Sequence, residues 1–317
     1  MHLYMDQNLT FFEPIYAYLN VFLFRNRAPF QVLFIIISII EFYFLTKAAS
    51  MLKIEYTWMI FFFFILRYFE FFVNGLRQAI AISIIMCSVI IFFNKRYLLF
   101  LCSVLLAFGF HKSSVIILLF CPIAKKLHIS QKKYGTIIYY IPLFFVLVFY
   151  NRIWDIIQGF ILKIAVLLPS SLQIIILAFS TWKIELGSGL GVKLQILAYI
   201  MFLPNLLFYA KKDKLTQYLF YIFYFGIIGK YFSGQNMNLS RIFFYMEYCG
   251  IFLLAKVMPF ILHDNYLKVR NTSFWFGIVI FSFLFLYNAS KGVNTVGPTP
   301  YIWDLDFSFK NYFSVGI

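Results

Sequence analysis

The sequence predicts an all-α polytopic membrane protein, and three observations carry that expectation. Hydrophobic residues make up 63% of the 317-residue chain, aromatic residues 23% and charged residues only 12%, a balance that soluble globules do not show. Apolar runs of membrane-crossing length recur from end to end. Lysines gather in the short stretches between those runs, as the positive-inside rule leads one to expect. The runs are continuously apolar, whereas a β-barrel would need alternation. The net charge of +15 is read as loop lysines that set topology, so the expected partner is the lipid bilayer and not nucleic acid. Met1 to Phe12 lacks the basic segment and short apolar core of a cleavable signal peptide. Cys87, Cys102, Cys121 and Cys249 fall inside apolar runs without metal-ligand spacing, and are expected in the core. One membrane domain over 1–317 is expected.

In chain order, Phe11 to Phe24 is too short to span comfortably and carries Glu13–Pro14 near its start. Proline suits a first helical turn, so a short interfacial or re-entrant helix is expected, followed by Arg25 and Arg27. Spans are expected at about 29–46, 56–73 and 78–93, separated by Lys47/Lys53 and by the Asn74–Gly75 break. Lys95–Arg96 and the cluster Lys125, Lys126, Lys132, Lys133 both belong inside, so an even number of crossings separates them. The available legs, 97–110 and 113–124, reach only about 18–21 Å each, short of the ~30 Å hydrocarbon core. The turn at His111–Ser114 is therefore expected to stop below the outer surface, as the polar tip of a short re-entrant-like hairpin. Such a tip needs protein or water around it.

Residues 135–150 then cross outward. Asn151 to Gly191 is expected to form an external loop, with RIWDIIQGFILKIAVLL lying amphipathically along the interface. LGSGLG reads as a flexible break, since no strand precedes it as a phosphate loop requires. Spans at about 192–210, 215–232, 241–262 and 273–288 follow. Lys211, Lys212, Lys214, Lys268 and Arg270 lie inside, and the tail 289–317 outside. The total is about ten crossings, counting the hairpin legs.

This layout separates the two basic residue types. Eleven lysines and only two arginines (Arg96, Arg270) fall inside. Arg25, Arg27, Arg77, Arg152 and Arg241 fall on or near the outer face, and Arg67 within a span. Lysine suffices for topology, whereas arginine's planar fork suits phosphate and carboxylate. The outer side is expected to bind anions.

Polar residues at membrane depth are costly and mark candidate sites. Arg77–Gln78 opens a helix just after Asn74–Gly75, where free N–H groups favour an anion; the plainer role is a snorkelling arginine. His111, followed by Lys112, Ser113 and Ser114 at the hairpin tip, is either a core histidine, a general base or a phosphate ligand. Arg241 follows the polar SGQNMNLS, and Tyr245 shares its helix face at i+4. Glu247 is expected to pair with Arg67 or Lys256. Glu13 is an acid or base at the outer mouth, or a charge at a helix N-terminus. Trp182, Tyr301 and Trp303 are weaker candidates for stacking on sugars.

The stretches FFEPIYAYLN, NGLRQAIAIS (74–83), LAFGFHKSSVIILL (106–119) and SRIFFYMEY (240–248) occur in that order. Together they resemble the EpsG family of bacterial exopolysaccharide proteins, which includes Wzy-type O-antigen and capsule polymerases. PTPY at 298–301 resembles the family more loosely. Family members usually carry another span before the glutamate–proline region; here MHLYMDQNLT precedes it, and the topology expects the N-terminus outside.

The resemblance implies a GT-C-like architecture and a glycosyltransferase of the bacterial inner membrane. A growing glycan on undecaprenyl pyrophosphate would pass to the non-reducing end of a new lipid-linked repeat unit at the outer leaflet. Donor and acceptor are both lipid-linked glycans, and a chain-length regulator is a further implied partner. The chemistry needs a cationic clamp for the departing pyrophosphate and a base for the sugar hydroxyl. Arg77 and Arg241, with Lys112, are expected to form the clamp; His111 or Glu13 is the base; Gln78, Ser113, Ser114 and Tyr245 support them. No carboxylate cluster suggests a metal, so a metal-independent reaction without cofactor is expected. Two other classes compete: a flippase for lipid-linked oligosaccharides, and a membrane O-acyltransferase acting on a surface glycan.

Overall fold

The computed structural model describes residues 13–130, 134–165, 190–233, 236–263 and 268–291. Every long element among them is helical. In chain order the helices are α1 Pro14–Arg25, α2 Phe30–Leu52, α3 Tyr56–Ile65, α4 Tyr68–Asn74, α5 Leu76–Phe93, α6 Tyr97–Phe110 and α7 Ile117–Lys126. They continue with α8 Tyr140–Ala165, α9 Leu190–Ala210, α10 Lys214–Phe232, α11 Met237–Glu247, α12 Gly250–His263 and α13 Lys268–Lys291. Tight 3₁₀ turns at Lys112–Ile116 and Tyr134–Tyr139 lead into α7 and α8.

Helix α5 is the hub. Every side chain from Gln78 to Phe92 is buried, as befits a helix apolar on all faces. It packs against α2, α4, α6, α7 and α11. The outer helices turn apolar stripes outward instead. Leu98, Leu101, Leu105 and Phe108 on α6, and Phe276, Val279, Phe283 and Leu286 on α13, are all exposed at helical spacing. Leaving such side chains in water would cost about 1.5–3 kcal/mol each, and lipid removes that cost. By length and composition, Gln31–Leu52, Leu76–Phe93, Leu190–Ala210, Leu239–His263 and Arg270–Tyr287 can each cross a membrane. The chain is an all-α multi-pass membrane protein.

Several elements differ from expectation. The span at 56–73 is broken at Leu66–Arg67, because Arg67 takes a left-handed backbone (φ 64°) and caps α4. Its guanidinium grips both carboxylate oxygens of Glu70, three residues on. The helix beginning near 140 does not stop at Asn151 but runs to Ala165, since neither Pro nor Gly lies between Pro142, in its first turn where proline is tolerated, and Gly159. Helix therefore occupies the first part of the expected external loop, and its last two residues, Leu190 and Gly191, open α9; residues 166–189 between them, with Trp182 and LGSG, lie outside the described residues. So does the expected tail from Gly292 onward, with Tyr301 and Trp303. The span at 241–262 begins earlier, at Met237, where Asn236 Oδ1 caps the helix by accepting from Leu239 N at 2.9 Å. It bends at Tyr248–Cys249, between α11 and α12. Cys102 is exposed on α6, while the other three cysteines are buried.

Glu247 pairs with neither expected partner. Arg67 is engaged by Glu70, and Lys256 lies 3.7 Å from Asp213. Glu247 instead meets Lys230 at 2.7 Å.

Candidate active site

Four elements far apart in sequence bring polar side chains together at one cavity, Glu13 from just behind its lining. Glu13 caps α1 in extended backbone, with Pro14 opening the helix. Arg77 and Gln78 lie in the first turn of α5, directly after Gly75. His111 ends α6 in extended backbone (φ −158°, ψ 118°) and starts the 3₁₀ turn. Arg241 comes from α11. Gly109 lets α1 approach α6: a Cβ there would come within 2.6 Å of Ile15 Cγ1.

Glu13 is the pivot, with a side chain only 7% exposed. Its Oε2 accepts from Arg77 Nη1 at 2.6 Å, and its Oε1 lies 2.7 Å from His111 Nδ1. A carboxylate only accepts, so His111 donates from Nδ1–H and keeps its basic lone pair on Nε2. Burial pushes the Glu13 carboxyl up, but its backbone hydrogen bond, His111 and Arg77 together outweigh it and hold the group below its ordinary value. Burial lowers His111; Arg77 and Arg241 add to this, and the opposing pull of Glu13 does not offset it. At neutral pH the pair is carboxylate and neutral imidazole.

The cavity encloses about 230 Å³ between Tyr16, Phe71, Gly75, Leu76, Arg77, Gln78, His111 and Arg241. Arg77, one-third exposed, lies over the Tyr16 ring at 5.7 Å, a cation–π contact. Arg241 is exposed, and its guanidinium has no carboxylate partner among the described residues. Buried Gln78 donates from Nε2 to the Arg241 carbonyl at 2.7 Å, tying α5 to α11. Two guanidiniums against one carboxylate leave the cavity net positive, suited to an anion.

The remaining sequence candidates lie beside this cavity. Ser113 Oγ and the Tyr245 hydroxyl are 3.2 Å apart, joining the 3₁₀ turn to α11. Ser114 is buried, and its Oγ has no hydrogen-bond partner among the described residues. Lys112 is exposed and does not line the cavity. Tyr16 and Phe71, which do line it, were not among the sequence candidates. The available signal for Tyr16 was its i+3 spacing from Glu13. Among the described residues no three His, Cys, Asp or Glu side chains gather as a metal site would.

The fold and cavity define a class: a multi-pass helical membrane protein with a carboxylate-braced histidine and two arginines around a small cationic recess. The chain belongs to the EpsG family, whose model matches residues 2–303. That places it among polysaccharide-polymerase-like membrane proteins. No curated protein and no solved structure matches the chain.

Proposed function

We propose that this protein is a Wzy-type polysaccharide polymerase, joining undecaprenyl-pyrophosphate-linked repeat units at the outer leaflet of the bacterial inner membrane. Family membership supports the polymer chemistry. The observation that carries the mechanism is the Glu13–His111 contact beside Arg77 and Arg241. The topology in this reading has about ten crossings in a GT-C-like arrangement, with the cavity facing outward.

His111 Nε2 takes the proton from an acceptor sugar hydroxyl, while Glu13 holds the ring's tautomer and stabilises the imidazolium that forms. The hydroxyl oxygen bonds to the donor's anomeric carbon, and the bond from that carbon to the pyrophosphate oxygen breaks. Arg77 and Arg241 receive the charge developing on the leaving group, and Lys112, next in sequence to His111 but outside the cavity lining, adds to the positive field. Arrival of the anion offsets the two arginines that depress His111, so the base strengthens when donor is bound. At about 230 Å³ the cavity is smaller than pockets that enclose drug-sized ligands. It fits a pyrophosphate junction and leaves the glycans and the isoprenoid outside.

Vesicles holding the full-length protein and labelled lipid-linked repeat units test this reading. New glycosidic bonds between units support it. Units moved across the bilayer without extension, or units bearing a transferred acyl group, would replace it with a flippase or an acyltransferase.

A further inference from the structure

Outside the cavity, one carboxylate is buried more deeply than any charge within it, paired with a lysine whose side chain keeps 22% of its area exposed. Glu247 is the last residue of α11, and its side chain has no exposed area. Its Oε1 accepts from Lys230 Nζ at 2.7 Å and from the Tyr199 hydroxyl at 2.9 Å. Its backbone carbonyl accepts from the Tyr68 hydroxyl at 3.0 Å. Those partners come from α10, α9 and α4. Gly226 of α10 also touches it backbone to backbone: a Cβ there would come within 2.6 Å of Glu247 Cα. Three other helices thus converge on one residue.

A buried ion pair is a weak source of stability, because desolvating both charges offsets most of their attraction. Its best-attested use is to specify one arrangement over others. Here the arrangement concerns the two arginines. Arg241 precedes Glu247 by six residues, about 9 Å along α11. Tyr68 opens α4, which runs through Gly75 straight into Arg77. Glu247 therefore anchors the end of the helix that carries Arg241: its side chain holds that end to α10 and α9, and its backbone carbonyl meets Tyr68 on the stretch that leads into Arg77.

We propose that Glu247, held by Lys230 and Tyr199, is a positioning residue that sets where Arg241 stands relative to Arg77. The proposal rests on the reading of those arginines as a pyrophosphate clamp. Glu247 touches no substrate and acts through Arg241.

A double-mutant cycle on the full-length protein tests this, with inorganic pyrophosphate as the probe and calorimetric titration as the readout. Misplacing a binding group by about 1 Å costs up to on the order of 100-fold. Glu247→Ala is therefore expected to weaken pyrophosphate binding by about tenfold to a hundredfold. In an Arg241→Ala background the same change should cost almost nothing further, because a residue acting through Arg241 has nothing left to act on. General loosening of the fold would add its cost in both backgrounds. Should Glu247→Ala not fold, Glu247→Gln removes the ion pair at nearly constant shape and enters the same cycle. Wild-type binding in the folded variant, or a loss that adds in full to that of Arg241→Ala, overturns the positioning role. If Arg241→Ala itself binds like wild type, the clamp reading fails first and takes the positioning role with it.

Discussion

Gly109→Val is the sharpest probe of how the site is assembled. Glu13 reaches His111 only because α1 lies close on α6 at this glycine. A Cβ on Gly109 would sit 2.6 Å from Ile15 Cγ1, and ordinary contact is 3.4–4 Å, so on the order of 1 Å must be found. Ile15 is β-branched and strongly prefers one rotamer in a helix, and valine's two further carbons extend the overlap. Helix α1 is therefore expected to shift outward. A 1 Å shift stretches the 2.7 Å Glu13–His111 contact to about 3.7 Å, beyond hydrogen-bonding range. Losing the oriented base at that scale is expected to slow polymer extension about 100-fold, or about 2.7 kcal/mol of transition-state stabilisation. The assay compares extension rates of purified wild type, Gly109→Val and Gly109→Val/Ile15→Ala, with thermal melting as the control for folding. The double variant restores room for α1 and should recover most of the rate. A folded Gly109→Val with wild-type rate, or a double variant no faster than the single, refutes the reasoning.

Arg77→Ala should abolish extension and weaken pyrophosphate binding, whereas Arg77→Lys should recover only part, because a point charge does not replace the planar fork; equal activity of Lys and Arg at this position would show that only charge matters. Glu13→Gln removes the group that raises the His111 pKa, so the acid limb of kcat/KM should move to lower pH while the plateau falls by about 10²–10⁴. If Glu13 were itself the base, wild type would follow a carboxylate titration and the variant would show no such limb. Asp213, the N-cap of α10, accepts from the backbone of Leu215 and Thr216, and Asp213→Ala should cost about 1 kcal/mol of stability with little change in the rate per folded molecule. Burial pushes the Asp213 carboxyl up, but its Thr216 and Leu215 hydrogen bonds and Lys256 outweigh it and hold the group low. Its contribution to stability is thus present above the ordinary carboxylate range and is lost as pH falls through the depressed value, which acid melts of wild type and variant can compare.

The local features were legible in the sequence. Pro14 marked the start of α1, Gly75 the start of α5, and the short legs around His111 marked a turn between two short helices, each from neighbours a few residues away. Position 77 stood out because a polar pair begins an otherwise apolar helix. The pairings were not legible. Glu13 meets Arg77 across 64 residues and His111 across 98, and periodicity reports only partners three or four apart. Glu247 went to Lys230 for the same reason, since only the packing of α10 on α11 at Gly226 brings the two charges together. The break at Arg67 was hidden because its signal is a left-handed backbone, in a run of aromatics that reads as one span. Helix α8 ran past Asn151 because a polar pair alone does not end a helix that contains no breaker there.

The most direct test of the central claim is extension of lipid-linked repeat units by the purified full-length protein, with products resolved by size. A ladder of lengthening lipid-linked chains from wild type, lost in folded Arg77→Ala, is the predicted result. No ladder from folded wild-type protein, or an unchanged ladder from Arg77→Ala, would contradict a polymerase working at this arginine–histidine cavity.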